Sequence, residues 1–201
     1  MPPLYLATRN IGKVREIKEL LSHLPVDILS LKDLPEAPEI EEDGETFAEN
    51  AAKKAEAVLA AVAGEEGAVL ADDSGLEVEF LQGEPGIRSA RYAGEGATDA
   101  ANNNLLLEKL TGVPLHRRGA RFCCVIAIAA PGKETVVVEG HCQGTIALEP
   151  RGDQGFGYDP LFLVPAYQKT FGELSPDIKN RISHRSRALS QALAHLEKLL
   201  R

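Results

Sequence analysis

A mixed central β-sheet flanked by helices, an α/β fold, is the architecture this sequence predicts. Three observations predict it. Short, fully apolar runs at Leu4 to Ala7 and Ala68 to Ala71 have the length and continuity of buried strands. Segments with apolar residues at helical spacing lie between and after them. Two further apolar runs flank Pro131-Gly132, the pattern of a hairpin. Buried strands alternating with helices, joined to a hairpin, imply a sheet of mixed direction.

The elements follow in order. Leu4 to Ala7 runs into the polar loop Thr8-Arg9-Asn10, and Val14, Ile17, Leu20, Leu21 and Leu24 then mark a helix closed by Pro25. Lys32 to Gly44 is rich in proline and acid and reads as a surface connection. Thr46-Phe47-Ala48-Glu49 matches a capping box, so an alanine-rich helix is expected to about Ala63, stopped by Gly64. Ala68 to Ala71 is the next strand, with Asp72-Asp73-Ser74-Gly75 at its end and a further strand at Glu77 to Leu81. A helix from about Thr98 to Leu110 ends at Gly112 and Pro114. Phe122 to Ala129 and Thr135 to Glu139 form the hairpin, whose second arm can continue toward Leu148. Leu189, Leu193, Leu196 and Leu200 mark an amphipathic C-terminal helix. No linker interrupts the pattern, so residues 1–201 are expected to form a single domain.

Composition narrows the function. The chain has 201 residues, enough for a sizeable core, with 44% hydrophobic and 26% charged residues and no repeat. The N-terminus has no basic segment before its short apolar run, and no stretch approaches the roughly 20 apolar residues that span a bilayer. A cytoplasmic protein without a membrane partner is expected. Cys123, Cys124 and Cys142 lack the spacing of a zinc site and read as core residues in a reducing compartment. A net charge of −8 disfavours nucleic acid as a partner. A small polyphosphate stays compatible with that charge where basic residues gather and a divalent cation screens the acids.

Four polar clusters sit at the ends of elements, where chemistry concentrates. Thr8-Arg9-Asn10-Ile11-Gly12-Lys13 lies between a strand and a helix; it reads as a simple capped turn or as an anion site built on helix amides and Lys13. It lacks the glycine pattern of a Walker loop. Glu41-Glu42-Asp43-Gly44 precedes the helix carrying Asn50, Lys53 and Lys54, and its carboxylates suit magnesium. Lys53 is placed with Asn50 toward one pocket, while Lys54 is taken as an ordinary surface lysine. Asp72-Asp73-Ser74-Gly75 is either a surface turn or a metal site, because two carboxylates after a buried strand need neutralisation. In the last third, Gly155-Phe156-Gly157-Tyr158-Asp159-Pro160 offers an aromatic face to a base, and Lys179, Arg181, His184, Arg185 and Arg187 form a basic group in an acidic chain. That group opposes a helix dipole if it begins a helix, a conflict an anionic ligand resolves.

Six pieces in this order resemble the inosine-triphosphate pyrophosphatase family, the non-standard purine nucleoside triphosphate pyrophosphatases. They are Thr8-x-Asn10-x-x-Lys13-x-x-Glu16; the set Glu41, Gly44, Thr46, Phe47, Glu49, Asn50, Ala51 and Lys53; Ala71-Asp72-Asp73-Ser74-Gly75-Leu76; Pro85-Gly86-x-x-Ser89-Ala90-Arg91-Tyr92; Gly155 to Pro160; and Ser183-His184-Arg185. They span nearly the whole chain, and no functional position departs from the pattern. The resemblance implies a homodimeric protein of two lobes with an active-site cleft between them. It implies hydrolysis of dITP, ITP and XTP to monophosphate and pyrophosphate, cleansing the nucleotide pool. By position, Thr8, Arg9, Asn10, Ile11, Gly12, Lys13 and Lys53 would hold the triphosphate. Glu41 and Asp73 would bind Mg2+, with Asp73 also accepting the proton of the attacking water. Ser74, Phe156, Gly157, Tyr158, Asp159, Lys179, His184 and Arg185 would bind substrate, including its base.

The chemistry agrees with this assignment, since the pyrophosphate leaving group gathers charge that lysines and magnesium stabilise. A donor to the 6-keto oxygen of hypoxanthine or xanthine disfavours adenine's amino group. Two other readings stand beside it: a pyrophosphatase for modified pyrimidine nucleotides, and a nucleotide-binding sensor without hydrolysis. The Asp72, Asp73 and Glu41 carboxylates argue against a sensor, which needs no metal-and-base pair.

Overall fold

The structure is a computed structural model that describes residues 2–34, 37–62 and 67–199. The expected helix stop at Ala63-Gly64 and the last apolar position, Leu200, lie outside the described residues. Strands β1 (Leu4–Leu6), β2 (Ile28–Ser30), β3 (Ala68–Val78), β4 (Gly119–Ala129), β5 (Val136–Ile146), β6 (Phe162–Val164) and β7 (Lys169–Thr170) join in one sheet, in the order β2-β1-β3-β4-β5-β6-β7. The sheet is mixed, as predicted: β1 is parallel to both β2 and β3, while β6 is antiparallel to β5 and β7. The helices are α1 (Ile11–Leu20), α2 (Phe47–Ala61), α3 (Asp99–Lys109), α4 (Pro176–Ile182) and α5 (His184–Leu199). None of the described helices is long and apolar enough to cross a membrane.

Internal contacts divide the chain into two compact units: Met1–Asp73, Cys124–Gly140 and Arg185–Arg201 form the first, Ser74–Cys123 and His141–His184 the second. Each has its own core. In the first, Leu4 and Leu6 of β1, Ala68 and Leu70 of β3 and Cys124, Ile126 and Ile128 of β4 pack with Ile17 of α1 and with Ala188, Leu189, Ala192 and Leu196 of α5. The two-residue interval along each strand puts these side chains on one face of the sheet, so α1 and α5 cover that face. Each fully buried Leu or Ile contributes about 1.5–3 kcal/mol. In the second unit, Leu76, Val78, Leu106, Leu110, Ile146 and Leu161 surround an aromatic group in which the Phe122 and Phe162 centroids are 4.5 Å apart and those of Phe162 and Phe171 5.0 Å. Cys123, Cys124 and Cys142 are buried and none forms a disulfide, consistent with core packing.

The local signals are where expected. Asn10 caps α1, its Oδ1 accepting the Lys13 amide at 3.1 Å. Thr46 caps α2 by accepting the Glu49 amide at 3.1 Å, though the return bond from Glu49 goes to the Glu45 amide rather than to Thr46. Thr98 caps α3 in the same way. β4 and β5 are neighbours joined by a tight turn in which the Lys133 amide donates to Ala130.

One expectation needs correction. Asp72-Asp73-Ser74-Gly75 is not a turn between two strands: β3 runs unbroken for 11 residues through it. The stretch predicted as a further strand, Glu77 to Leu81, is the end of β3 followed by a short 3-10 turn at Glu79–Leu81. Intrinsic strand propensity of Asp, Ser and Gly is low, and partners from other elements override it here.

Candidate active site

Because β3 is continuous through the pair, Asp72 and Asp73 point to opposite faces of the sheet. Asp72 follows Ala68 and Leu70 onto the face covered by α1 and α5. There Arg185 Nε donates to its Oδ2 at 2.7 Å, Lys13 Nζ lies 2.7 Å from its Oδ1, and Cys124 Sγ donates to Oδ2 at 3.3 Å. The same guanidinium donates to the Glu16 carboxylate through Nη1. Burial opposes ionisation of Asp72, but the charges of Arg185 and Lys13 outweigh it and hold the carboxyl well below the usual range. Burial, together with the Asp72 charge, pushes the Cys124 thiol well up, so it stays protonated as a donor.

Asp73 turns to the other face, where α2 brings Lys54. The Lys54 ammonium is 2.7 Å from Asp73 Oδ1, 3.0 Å from Glu42 Oε1 and 3.0 Å from the Asp72 carbonyl. Burial raises the Asp73 carboxyl above its ordinary value, and the attraction of Lys54 and Lys13 offsets this only in part. Lys54 is itself raised: burial opposes its charge, and Asp73 and Glu42 outweigh that opposition. A buried carboxylate poised toward a higher pKa beside a lysine is the arrangement general-base chemistry uses.

The structure corrects the expectation for Lys54, which is buried rather than a surface residue, while Lys53 is exposed and paired with exposed Asp43. The signal was in the sequence. Phe47, Asn50, Ala51, Lys54, Ala55 and Val58 are the buried positions of α2 and follow one helical stripe. Thr46 as cap fixes that phase and leaves Lys53 outside it.

The acidic turn before α2 is held in place by Asn50. Its Oδ1 accepts the Gly44 amide at 2.8 Å, and a Cβ at Gly44 would come within 2.7 Å of that oxygen. This places Glu42, half-buried, against Lys54, with Glu41 exposed beside it. Among the described residues no group of three or more His, Cys, Asp or Glu could hold a metal ion. Glu42 and Asp73 both converge on the Lys54 ammonium, so the described side chains arrange this position around a lysine.

In the Thr8 to Lys13 loop, the Thr8 Oγ1 accepts the Asn10 amide at 3.1 Å and Arg9 donates to the Ala37 carbonyl. Arg9, Asn10 and Ile11 are exposed and Thr8 and Gly12 half-buried, so the start of α1 opens to solvent. Its first turn carries no acidic residue, which leaves the helix N-terminus open to an anion.

The second unit holds the remaining expected residues. Ser74 continues β3 and is half-buried. Asp159 organises the Phe156 loop: its Oδ2 accepts the Phe156 amide at 2.8 Å and pairs with the Lys179 ammonium, both charged side chains being buried. Lys179 Nζ lies 5.1 Å from the Phe156 ring centroid, a cation-π contact. Gly155 has φ +77°, and a Cβ there would strike Asp159 Oδ2 at 1.9 Å, so only glycine fits. Tyr158 donates its hydroxyl to the Ser89 carbonyl at 2.8 Å. His184 is buried and stacks on Phe122, with centroids 4.6 Å apart and planes at 11°.

The model of the Ham1 family matches residues 4–195, and the chain belongs to that family. A dITP/XTP pyrophosphatase of Geobacillus kaustophilus is 51% identical over 95% of this chain and 92% of its own length. The structure of the Staphylococcus aureus Ham1 protein superposes with a TM-score of 0.84 at 43% identity, covering 98% of each chain. A nucleoside-triphosphatase / dITP/XTP pyrophosphatase from Mycobacterium abscessus superposes at 0.75 with 42% identity, over 95% of this chain and 98% of that one.

Proposed function

We infer that this chain is a nucleoside triphosphate pyrophosphatase that hydrolyses non-standard purine nucleotides (dITP, ITP and XTP) to the monophosphate and pyrophosphate, clearing them from the nucleotide pool. The observation that carries the reading is Asp73, a buried carboxylate 2.7 Å from the Lys54 ammonium, with Glu42 3.0 Å from the same nitrogen. The names of the relatives point the same way.

Asp73 is the proton acceptor for the attacking water. Lys54, with Lys13 and the open amides at the start of α1, supplies positive potential to the triphosphate and to the departing pyrophosphate. Thr8, Arg9, Asn10, Ile11 and Gly12 at the start of α1, together with exposed Lys53, complete the group assigned to the triphosphate. Magnesium would be held by Asp73 and by the carboxylates before Gly44, Glu42 and its neighbour Glu41. When bound it neutralises phosphate charge. Ser74 contributes a hydroxyl to the substrate. The second unit provides the base-binding groups: the Phe156 ring as a stacking face, Gly157 and Tyr158 as its backbone support, Lys179 as donor to a 6-keto oxygen, and Asp159 and His184 to fix them. Arg185 serves by holding Asp72 ionised from the face opposite Asp73. Residues 1–201 act as one pyrophosphatase domain, in a homodimer, in the cytoplasm.

Pyrophosphate release from inosine, guanosine and adenosine triphosphates, with and without magnesium, tests the reading. Release from the inosine nucleotide that requires magnesium and far exceeds that from adenosine supports it. Equal turnover of all three, or turnover unaffected by chelation, contradicts it.

A further inference from the structure

Helix α3 grips the Phe156 loop through both polar groups of one residue. Asp99 Oδ2 accepts the Gly157 amide at 2.7 Å, and Asn103 Nδ2 donates to the Gly157 carbonyl at 3.0 Å. Asp99 and Asn103 are four residues apart, so one face of α3 presents both. The loop needs such a grip. Phe156 is flanked by Gly155 at φ +77° and Gly157 at φ +61°, two residues without side chains to anchor the backbone. Asp159 fixes the Phe156 amide on one side of the ring. Asp99 and Asn103 fix Gly157 on the other.

The neighbouring asparagine gives a contrast. Asn102 is satisfied at both ends of its amide, accepting from the Ala93 amide at 2.8 Å and donating to the Ala90 carbonyl at 3.1 Å, as a structural residue does. Asn103 is only 8% exposed, yet its Oδ1 has no hydrogen-bond partner among the described residues. Buried polar atoms are seldom left in that state. Of the polar atoms of this side chain, Nδ2 is thus engaged at the Gly157 carbonyl while Oδ1 is not.

We propose that Asp99 and Asn103 are positioning residues that set the Phe156 ring for the nucleobase through the Gly157 peptide groups. The inference rests on the reading of Phe156 as the base-stacking face. It assigns to α3 a role in substrate affinity, with the groups that perform hydrolysis left unchanged.

Steady-state kinetics of the full chain with inosine triphosphate and magnesium provide the test. The variants are Phe156→Ala, Asn103→Ala, Asp99→Ala, Asp99→Asn and the double variant Phe156→Ala with Asn103→Ala. Asn103→Ala and Asp99→Ala are expected to raise KM about three- to tenfold, the worth of one hydrogen bond, with kcat within about twofold. Asp99→Asn restores the wild-type KM, because its amide oxygen still accepts the Gly157 amide. Asn103→Ala adds nothing once Phe156 is alanine. If Phe156→Ala raises KM while Asn103→Ala and Asp99→Ala do not, the clamp is wrong and the base-stacking reading stands. If Phe156→Ala leaves KM unchanged, the base-stacking reading fails and the clamp with it. If Asn103→Ala adds to Phe156→Ala, or lowers kcat at constant KM, the residue acts through the fold and the proposal is overturned. Should Asn103→Ala fail to fold, the Asp99→Ala and Asp99→Asn pair decides alone.

Discussion

Arg185 Nε donates to Asp72 Oδ2 at 2.7 Å, across 113 residues of sequence, and both side chains are buried. The bond makes the two adjacent aspartates chemically different. Asp72 is locked as a carboxylate by Arg185 and Lys13, while Asp73, on the opposite face, is left to titrate at a higher value. Removing the guanidinium leaves a buried carboxylate short of its main partner. Arg185→Met is therefore expected to lower stability by about 3–5 kcal/mol, read as a fall in melting temperature, rather than to alter base preference alone.

Acid should unfold the chain partly through the same residue. The pKa of Asp72 in the folded state is depressed, so its ionised form contributes stability above its unfolded value of about 4. That contribution is lost as pH falls from there through the folded value. Melting temperature measured between about pH 5 and pH 2, the range in which stability from a depressed carboxyl is lost, should fall more steeply for the wild type than for Asp72→Asn.

The two lysines of α2 should separate cleanly. Lys54→Met removes the cation beside Asp73 and Glu42, and turnover is expected to fall by about 100-fold or more, the scale of losing one charge-stabilising group. Lys53→Met breaks a pair exposed to solvent, and its melting temperature should stay close to wild type. Initial rates of pyrophosphate release and a thermal melt of each variant check both outcomes.

Gly155→Ala is expected to disorganise the Phe156 loop. The new Cβ would sit 1.9 Å from Asp159 Oδ2 on a backbone at φ +77°, forcing the carboxylate off the Phe156 amide and Lys179. KM for inosine triphosphate should rise while the Asp73 machinery in the first unit is untouched. An unchanged KM would mean that Asp159 does not hold the loop.

Much of this molecule was legible locally. Thr46 with Glu49, Asn10 with Lys13 and Thr98 with Ala101 are caps whose partners lie three residues away, so spacing alone places them. The hairpin at Pro131-Gly132 is legible for the same reason. What sequence spacing could not supply was the course of β3 through Asp72 to Gly75. Those residues disfavour a strand, and the groups that keep two carboxylates in it, Arg185, Lys13 and Lys54, arrive from distant parts of the chain. β2 was missed because three residues carry too little periodicity to register; it is defined by its pairing to β1. Lys53 was aligned with Asn50 three residues before it, whereas Lys54, four residues after Asn50, is the one that shares the buried stripe of α2.

Asp73→Asn tests the central claim most directly, with pyrophosphate release from inosine triphosphate and nucleotide binding measured on the same preparation. The amide keeps the size of the side chain and an oxygen for Lys54, but it cannot take a proton from water. Turnover is expected to fall by at least about 100-fold, as befits loss of a general base, while binding remains detectable by calorimetry. Release of pyrophosphate at close to the wild-type rate by a folded Asp73→Asn variant would contradict the account.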